Sequence, residues 1–165
     1  MPRLIAIVGR PNVGKSSLFN RIAGRRIAIV DDQPGVTRDR ISAEAEWHGQ
    51  PFTLVDTGGI GLLRGEKTDD PIVAAAFEQV RLAIDAADLI LLVVDTREGM
   101  VTLDREVASR LRQSGKPVLV AANKADDARL FDSTSEFAEL AFDRVFPVSA
   151  VHGRGIDELD RKSVV

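Results

Sequence analysis

Apolar runs that predict buried strands alternate along the chain with apolar positions at helical spacing. The predicted strands are residues 4–8, 41–47, 51–55, 89–94, 117–122 and 145–148. The predicted helices are residues 17–24, 71–87, 102–115 and 135–142. This alternation predicts an α/β fold with a mainly parallel six-stranded sheet, one antiparallel edge strand formed by a hairpin, and helices on both faces.

Start and stop signals refine the helices. Asp70 before Pro71 predicts one N-terminus, Thr102 predicts the cap of the next helix, and Gly115 predicts its end. The segment from Arg25 to Arg40 has no sustained period and contains a Pro-Gly turn signal, so we expect a loop there. Loops of that length are usually functional.

Composition is that of an ordinary globular protein. The 165 residues include 44% hydrophobic and 28% charged residues, no cysteine, and a net charge of −3. The lack of cysteine excludes disulfides and thiolate metal sites. No apolar run reaches membrane-spanning length, so we expect a soluble, cytoplasmic protein with no membrane partner. The acidic balance gives no general attraction to nucleic acid, and no direct nucleic-acid site is evident.

We expect residues 1–165 to form a single domain. No repeat or linker interrupts the alternation of strands and helices. The final helical pattern begins at Gly155 and fails at Asp160, where its spacing requires an apolar residue, which indicates a truncated C-terminal helix.

The strongest motif follows the first strand. Residues 9–16 fit G-x-x-x-x-G-K-[ST] between a strand and a helix, which is the context of a phosphate-binding loop. Gly9 and Gly14 let backbone N–H groups approach phosphate oxygens, Lys15 reaches the β- and γ-phosphates, and the Ser16 hydroxyl is placed to ligate Mg²⁺. The predicted phosphate-binding residues are Gly9, Arg10, Pro11, Asn12, Val13, Gly14, Lys15, Ser16 and Ser17.

Polar motifs follow three further predicted strands. After the third strand, Asp56 is placed to hold Mg²⁺ and Gly59 to meet the γ-phosphate. After the fifth, Asp126 can accept the N1–H and N2–H₂ donors of guanine, with Lys124 over the base and Asn123 tying this loop to the first one. The two motifs comprise Asp56, Thr57, Gly58, Gly59 and Ile60, and Asn123, Lys124, Ala125 and Asp126.

Two weaker signals complete the predicted site. The backbone N–H groups of Ser149 and Ala150, after the last strand, are candidates to bind the guanine carbonyl. Thr37 is the only hydroxyl residue between Arg25 and Arg40, which makes it the candidate to close over Mg²⁺ and the γ-phosphate. A surface threonine is the alternative for Thr37, and a simple turn is the alternative for each short motif taken alone.

Together these motifs resemble the Der (EngA) family of ribosome-assembly GTPases, and specifically its first GTP-binding domain. The resemblance extends over nearly the whole chain, including Pro34 to Asp39 and His152 to Gly155. It implies a parent protein with a second GTP-binding domain and a KH-like domain that contacts the large ribosomal subunit. It also implies that Asn12 holds a K⁺ ion, because Ile60 stands where many GTPases place a water-orienting glutamine.

The sequence therefore predicts a GTP-binding domain that hydrolyses GTP with Lys15, Thr37 and Gly59 at the reaction centre, and with Mg²⁺ and K⁺ as cofactors. Two alternatives remain open. A non-catalytic GTP-sensing module is favoured by the missing glutamine, whereas a phosphotransferase or ATPase on the same loop is disfavoured by Asp126.

Overall fold

One sheet organises the part of the chain that the computed structural model describes. The described residues are 4–10, 12–23, 28–29, 41–47, 50–56, 71–127, 129–130, 133–142 and 144–159. The strands are β1 (Leu4–Val8), β2 (Ala28–Ile29), β3 (Ile41–Trp47), β4 (Gln50–Asp56), β5 (Leu89–Asp95), β6 (Val118–Asn123) and β7 (Val145–Pro147). Their order across the sheet is β2-β3-β4-β1-β5-β6-β7.

Five of these strands run parallel. β1 lies between β4 and β5, β5 pairs with β6, and β6 pairs with β7, all in parallel register. The carboxyl ends of parallel strands meet at one edge of a sheet, which is where ligands bind in open α/β folds. The described residues that follow β1, β5, β6 and β7 therefore share that edge, and β4 ends there with Asp56.

The prediction of six strands with an antiparallel edge strand is wrong in two respects. Ala28 and Ile29, inside the segment predicted as a loop, form a seventh strand that pairs antiparallel with Ala43 and Glu44. β3 runs antiparallel to β4, as the hairpin predicted, but β2 covers it, so it is not the edge. A two-residue strand is too short to show an alternating pattern in the sequence.

The helices begin and end close to their predicted positions. They are α1 (Lys15–Ala23), α2 (Pro71–Ala86), α3 (Thr102–Ser114) and a 3₁₀ helix (Ser133–Leu140), with a further helical turn at residues 156–159. Gly115 ends α3 with φ 73°, as predicted. The predicted helix at 135–142 is instead 3₁₀ and begins two residues earlier. Asp70 and Asp160 lie outside the described residues.

Thr102 does not cap α3, contrary to the prediction. The capping position is Val101, whose backbone N–H donates to the Asp104 carboxylate at 3.1 Å while its carbonyl accepts from the Asp104 N–H at 3.0 Å. The reciprocal contact satisfies two backbone groups at the helix start. The carboxylate three residues into the helix therefore moves the cap back by one residue.

The two faces of strands β1, β5 and β6 are buried, each in its own core. On one face, α1 and the turn at 156–159 pack on the sheet, and on the other face α2, α3 and the 3₁₀ helix do so. Alternate residues of β5 enter the two cores, with Leu91 and Val93 on the first face and Leu92 and Val94 on the second. This explains the uninterrupted apolar run of β5 and confirms the prediction of helices on both faces.

Among the described residues, no helix is both long enough and apolar enough to cross a membrane.

Two glycines with the same backbone conformation provide a matched stability test. Gly115 and Gly155 both have φ +73°, but a Cβ on Gly155 would lie 2.3 Å from the Pro147 carbonyl oxygen, whereas a Cβ on Gly115 would have no neighbour within 4 Å. We expect Gly115→Ala to lower the free energy of unfolding by about 1 kcal/mol through left-handed strain alone. We expect Gly155→Ala to lower it by about 3 kcal/mol or more, because backbone must move.

Urea denaturation of the two variants and the unmodified chain measures the difference. Equal destabilisation by the two substitutions would contradict the close packing of Gly155 against β7.

Candidate nucleotide-binding site

The loop between β1 and α1 is shaped by two glycines. A Cβ on Gly9 would lie 2.7 Å from the Val93 carbonyl oxygen, and a Cβ on Gly14, which has φ +90°, would lie 2.2 Å from Asn123 Nδ2. A side chain at Gly9 would displace the backbone of β5, and a side chain at Gly14 would displace the Asn123 amide. The loop is thus held against the ends of β5 and β6, as a loop that wraps phosphates requires.

Lys15 lies within this loop and is buried. Its Nζ donates to the carbonyl oxygens of Gly9 at 2.7 Å and Arg10 at 2.9 Å. The ammonium group is therefore held by the loop that would surround the phosphates. This is the position from which a lysine can interact with β- and γ-phosphate oxygens.

The side chain of Arg10 anchors the loop to the start of α3. Its Nη1 lies 3.0 Å from Glu98 Oε2 and its Nε lies 3.4 Å from Asp104 Oδ1. Asp104 is only 2% exposed, and this burial raises the pKa of its carboxyl, although the Val101 N–H and Arg10 act in the opposite direction. The ion pair fixes the outer side of the phosphate loop.

Asn123, at the end of β6, links three loops. Its Nδ2 donates to the Val13 carbonyl at 2.9 Å, and its Oδ1 accepts from the Ala150 N–H at 3.1 Å. Asn123 is 2% exposed. The predicted tie between the Asn123 loop and the phosphate loop is present in the structure, and the same side chain extends it to the loop after β7.

Lys124 makes a second tie between the same loops. Its Nζ donates to the Asn12 carbonyl at 2.6 Å and to Asp95 Oδ2 at 2.8 Å. Asp95, the last residue of β5, is 1% exposed, and its other carboxylate oxygen accepts the N–H groups of Arg97 and Glu98. The buried carboxylate therefore orients Lys124, whose position over a base stays a prediction.

The Asp126 carboxylate is held at both oxygens. Ser149 Oγ donates to Oδ1 at 2.6 Å, and Arg97 Nη2 donates to Oδ2 at 2.6 Å. The Ser149 hydrogen bond, followed by the charge of Arg97, lowers the pKa of the Asp126 carboxyl. Asp126 is therefore ionised at neutral pH, and an ionised carboxylate is the acceptor that a pair of N–H donors on a base requires.

A family model described as "50S ribosome-binding GTPase" matches residues 4–124 of the chain. The chain belongs to this GTPase family. The matched segment extends from β1 to the Asn123-Lys124 pair, so it includes the phosphate loop and the first half of the base-recognition motif.

The chain is also similar to curated proteins named GTPase Der. The chain is 52% identical over 156 residues to a GTPase Der of Clostridium novyi and 50% identical over 161 residues to one of Myxococcus xanthus. These alignments cover 94% and 96% of the chain but only 35% and 34% of the relatives. The chain thus spans about a third of the length of the curated relatives it matches.

Solved GTPase structures share the fold. A structure of Aquifex aeolicus Era bound to GDP·AlF₄⁻ has a TM-score of 0.75 and 29% sequence identity, and the match covers 98% of the chain and 55% of Era. The G domain of the T. maritima FeoB iron transporter has a TM-score of 0.70 and 28% identity, with coverage of 97% and 95%. The P-loop GTPase fold predicted from the sequence is confirmed.

The predicted metal ligands of this GTPase fold are only partly described. Ser16 lies exposed in the first turn of α1. Asp56 ends β4, but the structure describes only its backbone, and Pro11, Thr37, Thr57, Gly58, Gly59 and Ile60 lie outside the described residues. The hydroxyl of Ser16 is a hard oxygen donor of the kind Mg²⁺ accepts beside phosphate oxygens. The described residues contain no cluster of three or more His, Cys, Asp or Glu side chains placed to bind a metal.

The backbone N–H groups of Ser149 and Ala150, in the loop after β7, both have partners within the protein. The Ser149 N–H donates to the Arg154 carbonyl at 2.9 Å, and the Ala150 N–H donates to Asn123. Both N–H groups predicted to bind a guanine carbonyl thus make hydrogen bonds within the protein, so that assignment stays a prediction. In contrast, Ser149 contributes through its hydroxyl.

Sequence analysis missed three residues that support the site. Asp95 ends β5 and Arg97 lies in the turn that follows, and neither belongs to a motif. Arg21 of α1 donates to the carbonyls of Ala150 at 2.8 Å and Val151 at 2.9 Å. The position of Asp95 and Arg97 in the sequence indicates a role in the site, because they lie at the carboxyl end of a strand that runs parallel to the motif-bearing strands.

The hydrogen bonds from Ser149 and Arg97 affect the pKa of the Asp126 carboxyl. We expect Ser149→Ala and Arg97→Ala each to raise the Asp126 pKa, because each removes a hydrogen bond that stabilises the ionised carboxylate. Carbon-detected NMR titration of the carboxyl measures both values. An unchanged Asp126 pKa in either variant would contradict the contact that the variant removes.

The sign of the stability effect follows from the lowered pKa. The contribution of Asp126 to folding is present above about pH 4, where the unfolded chain ionises, and is lost as the pH falls through the lower folded value.

Proposed function

We propose that the chain is a GTP-binding domain that hydrolyses GTP to GDP and phosphate and uses the bound nucleotide as a conformational switch. The observation that carries the proposal is the bridge made by Asn123, which holds the phosphate loop and the Asp126 loop together through Val13. The two recognition elements that a guanine nucleotide needs, a phosphate cradle and an ionised carboxylate for the base, are thereby kept at a fixed separation.

Base selection would depend on Asp126. Guanine presents adjacent N1–H and N2–H₂ donors, whereas adenine has no matching donor pair on that edge. A site built to accept two hydrogen bonds rejects a base that leaves its oxygens unpaired. The ordered contacts of Asp126 with Ser149 and Arg97 support this role.

Charge stabilisation would depend on Lys15, which the carbonyls of Gly9 and Arg10 hold inside the loop. Ser16, with Thr37 and Asp56, would hold Mg²⁺, and Asn12 would hold K⁺. These ions, when bound, supply positive charge to the phosphates as negative charge develops on them. In the proposed cycle Thr37 and Gly59 contact the γ-phosphate and are released after hydrolysis.

A second candidate is a GTP-sensing module that does not turn over by itself. Ile60 favours it, because an isoleucine side chain can neither donate a hydrogen bond to a water nor accept one. In that case hydrolysis would require residues from elsewhere in the longer protein or from a partner.

Steady-state hydrolysis of GTP and ATP with Mg²⁺, in matched KCl and NaCl, separates the two candidates. We expect turnover of GTP only, faster in KCl than in NaCl, because a K⁺ ion near Asn12 would offset charge between the β- and γ-phosphates. GTP binding without turnover in either salt would contradict the enzymatic proposal and favour the sensing module.

Two variants serve as controls for the hydrolysis experiment. Lys15→Ala should reduce turnover by about 100-fold or more. Lys116→Ala, which removes a lysine at the amino end of β6, where its Nζ donates to the Ala87 carbonyl, should leave turnover unchanged.

Asp126→Asn tests base recognition through nucleotide binding. This variant should lose affinity for GDP and gain affinity for xanthosine diphosphate, whose 2-oxo group accepts an amide N–H. An unchanged preference for guanine would contradict the base-recognition proposal.

We further propose that the protein acts in assembly of the large ribosomal subunit, in the cytoplasm. The description of its family as a 50S ribosome-binding GTPase supports this role. A structure of one fold relative, Era, contains nucleotides of 16S ribosomal RNA, which supports contact with ribosomal RNA without indicating the large subunit. Co-sedimentation of the chain with 50S subunits in the presence of a GTP analogue tests whether these residues suffice. Recovery in the supernatant would assign ribosome binding to other parts of the full-length protein.

A further inference from the structure

Arg97 lies outside every motif, yet it contacts the residue that would select the base. Its Nη2 donates to Asp126 Oδ2 at 2.6 Å, while Ser149 Oγ donates to Oδ1 at 2.6 Å. The two donors come from different loops, one after β5 and one after β7. The Asp126 carboxylate is therefore held from both sides.

The backbone beneath Arg97 is fixed to the same strand ends. The Arg97 N–H donates to the buried carboxylate of Asp95 at 2.8 Å. The N–H and hydroxyl of Thr96 both donate to the Asn123 carbonyl, at 3.0 Å and 2.9 Å. The turn that carries Arg97 is thus attached to the end of β6, three residues before Asp126. An arginine on an anchored turn can hold a partner in a defined orientation although its own side chain is 61% exposed.

The two hydrogen bonds to Asp126 leave part of its carboxylate available to a ligand. An ionised carboxylate has about four lone-pair positions, two on each oxygen. Ser149 and Arg97 use one position on each oxygen and leave one on each for a ligand. Rotation of the carboxylate about its Cβ–Cγ bond would break both contacts, so the two remaining positions are pre-oriented as a pair.

We propose that Arg97 is a specificity-determining residue of the base pocket. Together with Ser149 it fixes the plane of the Asp126 carboxylate, so that a purine base with two adjacent N–H donors on one edge binds in preference to a base with one. The inference rests on the guanine-nucleotide binding proposed above and identifies a residue outside the recognised motifs that sets its selectivity.

Binding of GDP and of inosine diphosphate, which lacks the 2-amino group, tests the proposal. Calorimetry on the unmodified chain should show tighter binding of GDP. Arg97→Ala should weaken GDP binding by about 3- to 10-fold, the loss expected for one charged hydrogen bond at an exposed site, and weaken inosine diphosphate binding less. The GDP-to-inosine diphosphate affinity ratio should therefore fall. An unchanged ratio, or tighter GDP binding by Arg97→Ala, would overturn the proposal.

Two further variants make the result specific. Arg97→Lys keeps the positive charge without the planar fork of donors and should give an intermediate ratio. Arg105→Ala removes another exposed arginine that pairs with a carboxylate, Glu139 at 3.3 Å, and should leave the ratio unchanged. A fall of the ratio in Arg105→Ala equal to that in Arg97→Ala would overturn the assignment to Arg97.

The same data distinguish this inference from the proposed function. If the unmodified chain binds neither nucleotide, guanine-nucleotide binding and the role of Arg97 both fail. If it binds GDP selectively and Arg97→Ala keeps that selectivity, only the role of Arg97 fails.

Discussion

The site depends on one carboxamide, that of Asn123. It donates to Val13 in the phosphate loop and accepts from Ala150 in the loop after β7, so three loops meet on one buried side chain. Each contact replaces a water that the loops would otherwise need, and a buried amide left without a partner would cost about 1–3 kcal/mol. Gly14 has no alternative because any side chain there would occupy the space of this amide.

The end of β5 and the turn that follows it also hold the site together. Asp95 orients Lys124, Thr96 bonds the carbonyl of Asn123, and Arg97 holds Asp126. Farther along the same connection, Glu98 and Asp104 hold the side chain of Arg10 in the phosphate loop. One connection without a recognised motif therefore contacts both the loop that would hold phosphates and the loop that would hold the base.

Much of the fold could be predicted from the sequence because strong periodicities determine it. The long apolar run of β5 and the stripes on α2 and α3 each specify an element and the face it buries. β2 shows no period in the sequence because it has only two residues. The cap of α3 lies one residue before its predicted position because the Asp104 carboxylate accepts the Val101 N–H. Within the site, motif spacing identified Gly14, Lys15 and Asn123, whereas Asp95 and Arg97 act through contacts that no local pattern encodes.

The residues that form the two cores and the residues that would bind a ligand are different sets. Because helices cover both faces of the described parallel strands, the candidate site lies at and beyond the carboxyl ends of these strands. A substitution at Arg97 or Asp126 therefore touches neither core. Selection can alter the ligand preference of such a scaffold by changing a few loop side chains while the apolar layers stay constant, which allows new specificities to evolve without first rebuilding the fold.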